Sequence, residues 1–266
     1  MDIRAISAIE IAQWPVNSKS EKTVLDNKVL ALQTTRISPN DNPADESVNN
    51  ALYKSFNLGL HVGDCAKQVE HNRKSLQKLF PSKTNIQWLE QVHGNVVAEI
   101  SSVTNKTIIA DAMVTREKNI ALAIMTADCL PILLISKQGD EIAAIHGGWR
   151  PLAVNIITNT INKMVTATDE IIAWLGPCIG KDAFEVGFEV QQAFVAQGNE
   201  FTQAFRKQNN GKYLADLHKI ATIQLNQLGI TKISTLSECT YSQPEKYYSY
   251  RKNSTTGRMA TVITLL

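Results

Sequence analysis

Three short stretches place side chains that can bind metal or attack a substrate at the ends of strand-like runs, two of those runs apolar: QVHGNVV with His93, ADCLPILL with Cys129, and AAIHGGWR with His146. Strand ends are where α/β sheets place ligands. Gly94 follows His93, and Gly147 and Gly148 follow His146, so backbone or ligand can approach closely. Two imidazoles and one thiolate match a catalytic zinc site with an open fourth position, where bound water titrates near ~7. A structural zinc would normally be closed by a fourth Cys or His at tighter spacing, which the sequence does not offer nearby. The same residues admit other readings. Cys129 could act as a nucleophile activated by a histidine that Asp128 or Asp111 orients. Two His and one Cys with a weak axial Met would suit blue copper, but five histidines in the whole chain leave little for a multicopper cluster, so zinc is the better metal. A non-catalytic reading, with satisfied strand-end histidines and a core thiol, stays open too.

Arginines and short polar residues flank this set. Arg150 lies four residues after His146, and the tail YYSYRKNSTTGR carries Arg251 and Arg258 among Ser, Thr, Gly and Tyr, a mix suited to bidentate phosphate or carboxylate contacts. Asn57 and Asp64, on the Gly-punctuated FNLGLHVGD stretch, can bring polar groups into a cleft or simply hold a turn. Arg73 joins them as a substrate-side candidate from the polar face of a neighbouring helix, beside Asn72. Cys178, in LGPCIG, reads as a structural residue of a tight turn.

Positioning these side chains requires a sheet covered on both sides. From Asn85 the chain gives short β-like runs, NIQWLEQV, NVVAEI, DAMVT, IALAIM, PILLIS and EIAAI, and later EIIAWL. Several are apolar at every position, as strands buried on both faces are. Helical patterns that could supply the cover run over Cys65–Phe80, Leu152–Val165, Phe188–Ala196 and Tyr213–Leu228. Strand patterns begin at Lys28–Ser38 and close the chain at Met259–Leu266. The segment SPNDNPADESVNN, residues 38–50, reads as a long exposed loop and a mobile insertion.

Composition narrows the function classes. The chain has 266 residues, 44% of them hydrophobic, enough for a packed core. A net charge of +2 lacks the basic footprint selected by nucleic acid or an anionic membrane, so neither is expected as a partner. Asp2, Arg4 and Glu10 break the start where a secretory signal needs an unbroken apolar core, and no apolar run reaches the roughly 20 residues of a membrane span. With four widely separated cysteines, the expected setting is the reducing cytoplasm.

The motifs NLGLHVGD, QVHGNVV, DAMVT, ADCLPILL, AAIHGGWR, GPCIG, FEVGFEV and SYRKNSTTGRMA, in this order, resemble the YfiH/laccase-domain family, also called the polyphenol oxidase or purine nucleoside phosphorylase family. The likeness runs from about Asn57 to Ala260. It implies an α+β fold: one domain over residues 1–266, in four layers, α/β/β/α, with mixed sheets and a divergent N-terminal segment 1–56. It also implies zinc on His93, Cys129 and His146, and phosphorolysis of adenosine, inosine or methylthioadenosine together with adenosine deamination. The expected partners are then a purine nucleoside and phosphate. Copper-dependent phenol oxidation and editing of peptidoglycan precursors are also attributed to relatives, the latter matching a cysteine-dependent amide hydrolase. Two departures bear on the substrate side: the family usually writes HAGWRG where this chain has Gly147 and Pro151, and a Gly-Gly turn where it has TTRISPNDNPADES.

Overall fold

The computed structural model describes residues 8–16, 18–39, 52–53 and 55–266, Glu21 by its backbone alone. Residues 40–50 of the expected mobile insertion lie outside the described residues. Two mixed sheets dominate. The first has five strands in the order β1 (Ile9–Ile11), β2 (Val29–Thr34), β14 (Met259–Leu265), β6 (Ile120–Thr126) and β3 (Asn85–Gln87), antiparallel except for the last pair. The second has six, in the order β13 (Lys232–Thr235), β9 (Ile171–Leu175), β7 (Leu130–Ser136), β8 (Ile142–Gly147), β5 (Ala112–Thr115) and β4 (Val97–Glu99), with parallel pairs at both edges.

The period-two alternation of strand side chains turns the unbroken apolar runs into two cores each. Leu133, Ile135, Ile142 and Ala144 of the six-stranded sheet face Leu122, Ile124, Ile263 and Leu265 of the five-stranded sheet. Their neighbours Ile132, Leu134, Ala143 and Ile145 face the other way, toward helices α3 (Trp149–Ala153), α4 (Ile156–Ile161) and α6 (Leu217–Gln227). On the far side of the five-stranded sheet, Ala121, Ala123 and Val262 pack with Leu76 of helix α2 (Ala66–Gln77) and with Phe80. The order is therefore α/β/β/α, as expected. Each fully buried Leu or Ile contributes about 1.5–3 kcal/mol of transfer free energy, so the strands that carry the site sit in the best-anchored part of the molecule.

Several elements differ from their sequence patterns. Leu152–Val165 is not one helix: the chain breaks between α3 and α4 at Asn155, whose φ of 65° lies in the left-handed region. Tyr213–Leu228 divides into β12 (Tyr213–Ala215) and α6, because Asp216 caps the helix by accepting a hydrogen bond from the Lys219 amide at 3.0 Å. β12 pairs with β10 (Glu185–Val186) and β11 (Phe205–Lys207) in a small third sheet, beside helix α5 (Phe188–Val195). The N-terminal segment supplies β1, helix α1 (Lys19–Lys28) and β2, and β2 pairs directly with β14, so this divergent part is built into the five-stranded sheet.

One connection positions the chemistry. The chain leaves β6 after Thr126 and enters β7 at Leu130, so Ala127–Cys129 steps from one sheet to the other. Asp128 turns there with φ 92°. Antiparallel pairing of Leu130 with Gly147 and Pro131 with His146 then sets Cys129 beside the end of β8.

Candidate metal centre

His93, Cys129 and His146 converge. Their ligand atoms all lie within 4.8 Å of one another, and they form the one group of three or more potential metal ligands among the described residues. Cys129 Sγ stands 3.9 Å from His93 Nε2, and the two imidazoles meet edge to face at 4.7 Å between centroids. A tetrahedral zinc with bonds of about 2.3 Å to sulfur and 2.0–2.1 Å to nitrogen separates such donors by roughly 3.5 Å. The donor set and spacing therefore fit a zinc ion with little movement.

Asp111 organises two of the three donors. Its buried carboxylate is 2.8 Å from His146 Nδ1, which must donate, leaving Nε2 as the available ligand. It also accepts from the amides of His93 (3.0 Å), Gly94 (2.7 Å) and Val92 (3.2 Å). Those bonds hold His93 at φ 60°, a left-handed conformation costly for a non-glycine residue. Burial opposes the Asp111 charge, but the His146 contact and the amides overcome it and lower its pKa. Backbone bonding reinforces the arrangement, the His146 amide donating to the Asp111 carbonyl at 2.8 Å.

Cys129 and His146 shift each other's titration. Burial disfavours the Cys129 thiolate, yet His146 and His93 outweigh it and draw the thiol pKa down to about 6. Burial likewise disfavours the His146 cation, while Cys129 and Asp111 push its pKa up to about 9. A thiolate ready to ligate is the state a soft metal requires. The glycines after His146 make room: a Cβ on Gly148 would sit 3.0 Å from Cys129 Sγ, and one on Gly147 would meet the Leu130 carbonyl at 2.7 Å. Pro151 falls in the first turn of α3, where a missing N–H costs nothing.

A cavity of about 560 Å³ opens over the cluster, within the range of small-molecule sites. Arg150, Arg251 and Arg258 line it. Arg150 lies over Trp149 at 4.5 Å, and Arg258 lies 5.8 Å from the ring centre of Tyr250. Arg251 donates from Nη1 to the Glu185 carbonyl at 2.9 Å, and Arg258 from Nη1 to the Thr256 and Gly257 carbonyls at 3.0 Å. Burial lowers the Arg258 pKa, with the charge of Cys129 opposing.

Three other candidates stand behind the cavity wall. Asn57 is fully buried and spends its amide on Gly59, Asp64 and the Arg258 amide. Asp64 accepts from Asn57 and from the Cys65 amide, so both residues hold a turn. Neither they nor Arg73 line the cavity. Arg73 points inward from α2, donating to the Leu58 carbonyl at 2.9 Å and lying 4.0 Å from the Trp88 ring centre; burial lowers its pKa to about 10. Asn72 is also buried and holds the Asn57 carbonyl, which makes this helix face less polar in effect than its sequence. Asp128 does not orient a histidine; its carboxylate accepts from Thr240 at 2.6 Å and from the Arg251 amide at 2.6 Å, fixing the turn before Cys129.

Sequence reasoning passed over His61, Gln91 and Tyr250, which line the cavity. Gln91 makes two 2.8 Å bonds to the Met125 backbone, tying the His93 loop to β6. His61 has its pKa lowered by burial and then by Arg258 and Arg73, which keeps it neutral near pH 7. Its place inside the quoted NLGLHVGD motif was the available signal.

A family model described as multi-copper polyphenol oxidoreductase laccase matches residues 44–266, beyond both ends of the stretch the motifs delimit. Purine nucleoside phosphorylase YfiH of Escherichia coli (strain K12) is 38% identical over 261 residues, covering 98% of this chain and 100% of that protein. A Pseudomonas aeruginosa protein named purine nucleoside phosphorylase is 41% identical over 219 residues, 82% of this chain and 89% of its own. The crystal structure of Neisseria meningitidis protein NMB0706 superposes with a TM-score of 0.86 at 37% identity, covering 97% of this chain and 99% of that one. No helix among the described residues is long and apolar enough to cross a membrane.

Proposed function

The chain belongs to the multi-copper polyphenol oxidoreductase laccase family, the family of YfiH, and on that premise we propose that it is a zinc-dependent purine nucleoside enzyme of the cytoplasm, folded as one domain over residues 1–266. It phosphorolyses adenosine, inosine or methylthioadenosine and deaminates adenosine. The observation that carries this reading is the His93, Cys129 and His146 group at the floor of a cavity whose wall bears three guanidinium groups. Zinc bound there would supply Lewis acidity and an activated water at neutral pH.

The chain's own residues do the rest. Arg150, Arg251 and Arg258 bind phosphate and orient one of its oxygens toward C1′ of the ribose, where the bond to the purine nitrogen breaks. Their backbone and ring contacts restrict the guanidinium groups before substrate arrives, which lowers the entropy lost on binding. Tyr250 and Trp149 offer flat surfaces for the purine, and Phe184 closes the apolar side. Asp111 holds the His93 loop and the His146 ring in register. Five histidines, one ligand group among the described residues and the thiolate donor favour zinc over several coppers.

The test is incubation of purified protein with adenosine or inosine and inorganic phosphate, followed by chromatography. Adenine or hypoxanthine with ribose 1-phosphate, and inosine from adenosine, are the expected products; no turnover of any purine nucleoside overturns the proposal. A second reading rests on a different use of the same contacts: the Cys129–His146–Asp111 relay has the order of a cysteine hydrolase, acting on amide bonds such as those of peptidoglycan precursors. In that case activity persists after chelation and is lost to iodoacetamide, whereas a zinc enzyme loses activity to the chelator and regains it with zinc.

A further inference from the structure

A pair of cysteines, Cys178 and Cys239, stands outside this site. Cys178 follows β9 and Cys239 follows β13, and these parallel neighbours pair again as an isolated bridge that sets Cys178 opposite Cys239. The Thr240 amide donates to the Cys178 carbonyl at 3.0 Å, fixing the two backbones together. Neighbouring strands lie about 4.7–4.9 Å apart, inside the Cα range of about 4.4–6.8 Å that a disulfide spans. Both thiols are free.

The two environments differ. Cys239 is half-buried and borders a second cavity of about 710 Å³, with His218 and Asp216 among the lining residues. Its sulfur accepts the Gly180 amide at 3.1 Å, and the missing side chain there leaves it space, since a Cβ on Gly180 would lie 3.0 Å from the Cys239 Cβ. Cys178 is fully buried and its Sγ lies 3.8 Å from both ring nitrogens of His218. His218 Nε2 donates to the Gly176 carbonyl at 2.8 Å, so Nδ1 carries a lone pair that can take a proton. An accessible thiol beside a buried one with a base at hand is the arrangement of an attacking and a resolving cysteine.

We infer that Cys239 and Cys178 form a reversible redox-modification site that hydroperoxides oxidise to an intramolecular disulfide. The Cys239 sulfur attacks one peroxide oxygen and the O–O bond breaks. For hydrogen peroxide this leaves a sulfenic acid, the thiol proton departing with the released oxygen as water. Cys178 passes its proton to His218 as its sulfur attacks the Cys239 sulfur. The S–S bond forms and the S–O bond breaks, the hydroxyl leaving as water with that proton. Two thiols are oxidised, one peroxide is reduced, and two waters result. The bond would join the loops that grip the turn before Cys129, because the Ile179 amide donates to the Asp128 carbonyl at 2.9 Å and the Thr240 hydroxyl to its carboxylate.

The experiment uses zinc-loaded full-length protein carrying Cys65→Ser, which removes the exposed thiol at the start of α2. After limited hydrogen peroxide and denaturing alkylation, non-reducing peptide mapping is expected to show a Cys178–Cys239 linked peptide, with both thiols lost together and both recovered by dithiothreitol. Adding Cys178→Ala should instead leave Cys239 as a sulfenic acid that dimedone labels. Full alkylation of both residues after peroxide, or oxidation of Cys239 to sulfinic acid with Cys178 still a free thiol in the Cys65→Ser protein, would overturn the inference.

Discussion

Asp111 Oδ1 lies 2.8 Å from His146 Nδ1, and the same carboxylate collects three amides of the loop that carries His93. One side chain thus orients two candidate metal ligands that are far apart in sequence. Asp111→Asn keeps the size but replaces an acceptor oxygen with a donor, so the His146 tautomer and the loop bonds cannot both be kept. Loss of such a partner typically costs about 10–100-fold in metal affinity. Competition against a chromogenic chelator should show that weakening, and unchanged zinc affinity would refute the role given to Asp111.

The arginines should separate the two reactions. Phosphate is a substrate in phosphorolysis and absent from deamination. A lost charge-assisted contact costs about 1.5–3 kcal/mol, or roughly 10–100-fold. Arg150→Gln and Arg251→Gln are therefore expected to raise the KM for phosphate on that scale while adenosine deamination without phosphate changes little. Equal losses in both reactions would place these arginines elsewhere in the mechanism.

A Cβ added at Gly147 would meet the Leu130 carbonyl at 2.7 Å, next to Cys129. Gly147→Ala must shift β7 against β8. Overpacking of this kind costs about 1–3 kcal/mol. The urea midpoint should fall accordingly and zinc should bind more weakly; a variant as stable as the parent would show that β7 yields freely.

Glu141 sets an acid limit. Its side chain is buried and takes a 2.5 Å bond from Arg116, the Val165 and Thr166 amides, and the Thr166 hydroxyl. Burial opposes its charge, but Thr166, Val165 and Arg116 prevail and lower its pKa below 4.5. The unfolded chain therefore binds the proton more readily. The stabilisation is complete above pH 4.5 and is lost as pH falls from there through the folded value. Glu141→Gln should lower stability at pH 7 by about 1–3 kcal/mol and flatten its decline in acid. Urea titrations at several pH values would show this, and an unaltered pH slope would contradict it.

Much of this architecture was legible in the residues. IALAIM, PILLI and IAAI are apolar at every position because both faces of their strands are covered, and Cys129 and His146 stand out because they fall at the ends of such runs. What the pattern could not carry was long-range hydrogen bonding. Asn57 and Asp64 fit either a cleft or a turn on sequence alone, and their polar atoms are engaged in a turn. Arg73 sits on a helix face that reads as polar and packs inward on Trp88. Helix Leu152–Val165 failed at Asn155 because a single left-handed residue is invisible to periodicity. Gln91 reaches the cavity only through the packing of distant segments, so no local spacing marks it, whereas His61 lies within NLGLHVGD.

The central claim is that one zinc ion joins His93, Cys129 and His146. Elemental analysis of protein purified without added metal, alongside Cys129→Ser and Cys178→Ser, tests it most directly. Serine nearly preserves volume at Cys129 and removes the soft sulfur. The account predicts about one zinc per chain in the parent and in Cys178→Ser, with zinc lost from Cys129→Ser while its circular dichroism spectrum stays native. Equal zinc in all three proteins, or several coppers per chain in the parent, would contradict it.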